Sequence, residues 1–139
     1  MAGSRSTSGA AKQPVPLKFP ATGELKVAFE RLLRLAGQYP GVEESRSYGT
    51  PAIKVKGKIL ARLRTEAEGG LALRCDLLDR EMLLQADSEV FYITDHYADY
   101  PMVLIDLTKI RWNAMPGLLE AAWRMVAPSR LIAEFDKSD

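Results

Sequence analysis

The chain has 139 residues, 47% of them apolar, and carries 19 Lys+Arg against 18 Asp+Glu with one histidine, a net charge of +1. That length fits one domain with its own core, and the single cysteine, Cys75, excludes an intrachain disulfide framework and a four-thiolate zinc site. No apolar run approaches the ~18 residues of a membrane span, and the near-neutral balance argues against a strongly basic nucleic-acid binder.

Residues 1–20 are rich in Ser, Gly, Ala and Pro, with Arg5, Lys12 and Lys18 and no acid. So little apolar surface cannot offset the entropy of ordering, so a disordered basic tail is expected, followed by one domain over residues 21–139. A first helix is expected from about Gly23 to Gln38, capped by Thr22, with Leu25, Ala28, Phe29, Leu32 and Ala36 as its apolar stripe. Pro40-Gly41 ends it.

Ile53 and Val55 alternate with Lys54 and Lys56, a strand pattern, and Lys56-Gly57 is the expected hairpin turn. The return strand is expected to place Ile59, Ala61 and Leu63 on one side and Lys58, Leu60, Arg62 and Arg64 on the other. After a loop at Glu66–Gly70, a strand covers Leu71–Cys75, with Cys75 in phase with the core and Arg74 and Asp76, in the opposite phase, forming a surface or interface pair. A helix over Leu77–Gln85 is expected to present Leu78, Met82 and Gln85 on one face. Strands at Val90–Ile93 and Met102–Leu107 flank a polar loop, Thr94–Pro101. Asn113 can cap a helix with Pro116 in its first turn and Met115, Leu118, Leu119, Ala122 and Val126 inward. Pro128 starts a last helix, with Leu131, Ile132 and Phe135 buried. This order predicts an α+β fold: an antiparallel sheet with a basic hairpin, packed against N-terminal and C-terminal helices.

Arg46, Lys54, Lys56, Lys58, Arg62 and Arg64 fall within nineteen positions that contain no acid. If the hairpin register cooperates, Lys54, Lys56, Lys58, Arg62 and Arg64 share one face, a basic ribbon suited to phosphates along a groove. The other reading is a solvated sheet face whose lysines discourage edge pairing. His96, beside Asp95 and Asp99, has the chemistry of a general base or metal ligand, or serves as a structural residue of a turn. No second histidine, cysteine pair or nucleophile elbow accompanies it, so no metal, cofactor or catalytic residue is expected. A Cys75–His96 pair would need proximity that sequence does not show. Trp112 and Trp123 read as packing residues. A second functional reading is a small-molecule or enzymatic pocket around Tyr48, Thr50, His96 and Tyr97.

The ordered set Pro40-Gly41-Val42-Glu43-Glu44-Ser45, Ser47-Tyr48-Gly49-Thr50-Pro51-Ala52, Lys54-Val55, Lys58, Leu73-Arg74-Cys75-Asp76, Phe91-Tyr92-Ile93-Thr94-Asp95-His96-Tyr97, Tyr100-Pro101, Ala122-Trp123-Arg124 and Ala127-Pro128-Ser129-Arg130-Leu131 resembles the MmcQ/YjbR family of small bacterial proteins. The resemblance runs from about Leu25 to Phe135. It implies an α+β domain of the "double wing" kind, described as DNA-binding, with Lys54 and Lys58 in a wing-like hairpin. Ile53 and Met102 stand where that pattern would have Phe and Trp, a loss for base stacking but not for phosphate contact. The resulting expectation is a cytoplasmic, monomeric, non-enzymatic protein that binds duplex DNA with weak sequence specificity.

Overall fold

The structure, a computed structural model, describes residues 23–47, 49–64 and 70–138. The expected tail, the Thr22 cap, Tyr48 and most of the Glu66–Gly70 loop lie outside the described residues. In chain order the elements are α1 (Gly23–Ala36), β1 (Val42–Ser47), β2 (Thr50–Val55), β3 (Lys58–Leu63), β4 (Leu71–Arg74), α2 (Leu77–Ala86), β5 (Phe91–Tyr92), β6 (Met102–Ile105), α3 (Met115–Val126) and α4 (Ser129–Lys137). The strands form one antiparallel sheet in the order β1-β2-β3-β4-β6-β5, so the α+β expectation holds. Among the described residues, no helix is long and apolar enough to cross a membrane.

The β2–β3 hairpin turns where expected. Lys56 and Gly57 both have positive φ, 49° and 85°, the pattern of the tight turn whose twist matches the flanking strands. Strand β1 was not expected: its sequence, Val-Glu-Glu-Ser-Arg-Ser, has no apolar alternation. It forms because β2 offers an unpaired edge, and its polar side chains suit an outermost strand.

One sheet face carries the main core. Ile53, Val55, Leu60, Leu63, Leu71, Leu73, Val103 and Ile105 pack there with Phe29 and Leu32 of α1 and Met115, Leu119 and Trp123 of α3. Trp123 is fully buried, and its Nε1 donates to the Pro40 carbonyl at 2.9 Å, so its one polar atom is satisfied. Tyr39 stacks on Trp123 with centroids 5.5 Å apart, and Phe135 of α4 meets that indole edge-on at 5.1 Å. These rings join α3, α4 and the turn after α1.

Helix α2 buries none of its residues; Leu78 and Met82, on the face they share, are 72% and 63% exposed, while Leu83 and Leu84 pack on the core. Two expectations change. Asp76 is that helix's cap, accepting from the Leu78 and Asp79 amides at 2.8 and 3.3 Å, and is not the partner of Arg74. Asn113 lies inside a single 3-10 turn, Trp112–Ala114, and α3 starts after Ala114.

The opposite sheet face is partly open. A smaller cluster of Ala72, Tyr97, Met102 and Leu104 lies there, flanked by Ile59, Tyr92 and Ile93 and overhung by the Thr94–Pro101 loop.

Candidate functional site: the open face of the sheet

Directly paired residues of antiparallel strands point to the same side, so the register decides where each cation goes. Ile53 pairs with Ala61 but Lys54 pairs with Ile59, leaving Leu60 as an extra residue in β3. Leu60 and Ala61 therefore both enter the main core, and Ile59 moves to the open face. The strict two-residue phase expected for β3 is broken at that bulge.

The five-residue basic ribbon is accordingly divided. Lys54 and Arg62 lie on the open face, opposite Ile59 and Ala52 respectively. Arg64 joins them; its guanidinium carbon lies 5.6 Å from the centroid of the Tyr97 ring. Lys58 pairs with Val55, a core residue, and so starts on the helix side of the hairpin end. Lys56 occupies the turn. Lys56 and Lys58 are exposed, Lys54 and Arg62 are half-buried, and Arg64 is only 8% exposed. What was expected as one flat ribbon is an exposed lysine tip and an inner group of guanidiniums.

The inner group borders a groove of about 560 Å³ walled by Arg62, Arg74, His96, Tyr97 and Tyr100. Arg62 donates from Nη1 to the Tyr97 hydroxyl at 2.8 Å and from Nε to the Ser47 carbonyl at 3.4 Å. Arg74 donates from Nε and Nη2 to the Ile59 carbonyl, at 3.1 and 2.8 Å. Burial lowers the pKa of Arg74, the direction expected when a cation loses solvation.

The overhanging loop is held by a residue that sequence reasoning passed over. Arg80 of α2 donates from Nη1 to the carbonyls of Tyr97, Tyr100 and Met102 and from Nη2 to that of Ala98, at 2.9–3.2 Å. A single guanidinium thereby satisfies three carbonyls of the loop and that of Met102 at the start of β6. On this frame His96 meets Tyr97 edge-on at 4.9 Å and lies 6.1 Å from Tyr100.

Of the alternative pocket, His96 and Tyr97 do line the groove. Thr50 does not; it is buried, its Oγ1 donating to the Ser47 carbonyl at 2.8 Å. Tyr48 lies outside the described residues. Arg74 and Tyr100 complete the site but were not singled out for it. The signal for Arg74 lay in its phase, opposite to Leu73 and Cys75, but only the pairing of β4 with its neighbours shows where that phase leads.

Cys75 packs in the helix-side core, whereas His96 overhangs the open face, so the sheet stands between the two. Burial, reinforced by Asp79 and Asp76, pushes the Cys75 thiol up to about 11. Among the described residues no three His, Cys, Asp or Glu side chains are grouped to hold a metal ion.

Comparison with known proteins identifies the fold's relatives. The YjbR family model matches residues 37–125, which span every strand and the groove. Curated relatives include Uncharacterized protein Rv2570 of Mycobacterium tuberculosis and Uncharacterized protein Mb2600 of Mycobacterium bovis, each 34% identical over 53 residues. Those matches span 38% of this chain and 41% of the relatives' own length.

Proposed function

The chain belongs to the YjbR family, and from that premise we propose that it is a non-enzymatic, DNA-binding domain that contacts phosphates through the lysines of its β2–β3 hairpin. The observation that supports this reading is that three lysines of one hairpin, inside a stretch free of acids from Arg46 to Arg64, are left without ion pairs. Among the described residues, Lys54, Lys56 and Lys58 make no ion pair, even though Glu43 lies opposite Lys54 in register. Ammonium groups without ion pairs at and beside an exposed turn are available to phosphates, and such contacts position a duplex without reading its bases.

Near-neutral net charge limits long-range attraction, so the affinity expected is modest and strongly salt-dependent. Titration of a labelled duplex with the full chain and with its K54Q/K56Q/K58Q variant, by fluorescence anisotropy, tests the reading. Weaker binding by the variant supports it; equal binding by both proteins overturns it.

A further inference from the structure

The lysine tip does not use the groove beneath the Thr94–Pro101 loop, and that groove has a chemistry of its own. We infer that it is a nucleotide site, with Arg74 beside Arg62 receiving a phosphate and the exposed rings of Tyr100 and His96 lying against the base. The inference deepens the nucleic-acid reading and rests on it for one of two sources of the nucleotide, a strand or the free compound.

Charge selects an anion. Two guanidiniums and an imidazole line the groove, and among the described residues no carboxylate does. Arg74 spends Nε and Nη2 on one carbonyl, which leaves Nη1 donating to no described residue. It has no acidic partner among the described residues. Behind Tyr97, Arg64 is only 8% exposed, and its Nε and Nη1 have no hydrogen-bond partner among the described residues. A half-buried guanidinium such as that of Arg74, with no acidic partner among the described residues, favours an incoming anion, and the fork of Arg suits a phosphate.

Shape selects more than a bare phosphate. The groove's 560 Å³ falls within the range of small-molecule sites, about 300–1,000 Å³, well beyond one inorganic anion. Tyr100 is 54% exposed and His96 is exposed, so ring faces are available beside the cations. Ile59 and Met102 add apolar floor. Aromatic faces next to a phosphate-binding cation are the pairing by which unpaired nucleotides are held. Arg62 keeps Tyr97 in place and Arg80 keeps the loop, so the site is built before any ligand arrives.

Calorimetric titration of the full chain with adenosine 5′-monophosphate, adenosine and inorganic phosphate tests the site. The nucleotide is expected to bind, and more tightly than either fragment. Arg74→Gln should weaken it about tenfold or more, and Tyr100→Ala should weaken it while leaving inorganic phosphate unaffected. Because Arg74 also bonds the Ile59 carbonyl, the exposed Tyr100 variant and nucleotide-induced NMR shifts on the unmodified protein give readouts that do not depend on the Arg74 variant folding. Shifts confined to Arg74, His96, Tyr97 and Tyr100 support the site. No binding at millimolar nucleotide, shifts elsewhere, or unaltered binding by both variants overturns it.

A single-stranded oligonucleotide that displaces the nucleotide identifies a strand as the source. An oligonucleotide that binds without displacing it identifies the free nucleotide. Duplex binding that depends on the hairpin lysines, without any nucleotide binding, overturns this inference and leaves the proposed function standing.

Discussion

The Arg62 guanidinium donates to the Tyr97 hydroxyl across 2.8 Å, tying strand β3 to the loop that overhangs the open face. The two residues are 35 positions apart, and their bond joins the acid-free basic segment to the histidine loop in one site. Tyr97→Phe removes the acceptor and leaves a half-buried charged donor without that partner. A loss of about 1.5 kcal/mol is expected, read as a lower urea midpoint at unchanged slope. An unchanged midpoint would show that the bond contributes nothing net.

Arg80→Met removes the donor to four carbonyls while keeping the apolar stem. Hydrogen exchange should rise across residues 95–102 and stay slow in β3 and β4, because the main core does not rely on that guanidinium. Faster exchange everywhere would instead make Arg80 part of the global fold. If Arg80 does hold the loop, the variant also binds nucleotide more weakly without touching it.

Much of this arrangement was legible in the sequence. The hairpin, its Lys56-Gly57 turn, the order of a helix, the three strands β2 to β4, a helix, two strands and two helices, and the inward Cys75 all follow from periodicity and turn chemistry. What failed was whatever depended on neighbours distant in sequence. Strand β1 is polar and exists because β2 has an edge to fill. The bulge at Leu60 shows in no propensity, yet it separates Lys58 from Arg62 and carries Ile59 across the sheet. Helical spacing puts Leu78 and Met82 on one face of α2 without saying which face turns inward; the one that packs on the core carries Leu83 and Leu84. His96 and Tyr97 could be singled out because the loop is unusual; Arg74 and Arg80 act through backbone carbonyls 15 to 22 positions away.

Trp123→Phe tests the packing that joins the helices. It removes the Nε1 bond to the Pro40 carbonyl and leaves a void beside Tyr39 and Phe135. A loss of about 2 kcal/mol is expected, visible as a lower thermal midpoint with the same fold by circular dichroism. A midpoint equal to that of the unmodified chain would contradict this role.

The thiol supplies a pH test. An unfolded cysteine ionises at about 8.5, but burial holds Cys75 protonated until about 11. Between those values the unfolded chain binds fewer protons than the folded one, so stability falls as pH rises across that window. Cys75→Ala should flatten that part of the profile. At pH 8 the folded thiol should react slowly with an alkylating reagent and recover ordinary reactivity in urea. Rapid labelling of the folded protein would contradict the buried, protonated state.

The most direct test of the central claim is the salt dependence of duplex binding, measured for the full chain and for K54Q/K56Q/K58Q. Each lysine that neutralises a phosphate should contribute about 0.9 to the slope of log affinity against log salt. The variant's slope is predicted to be shallower by that amount for every such lysine replaced, with little change in preference among duplex sequences. Identical slopes for the two proteins would contradict phosphate binding by the hairpin.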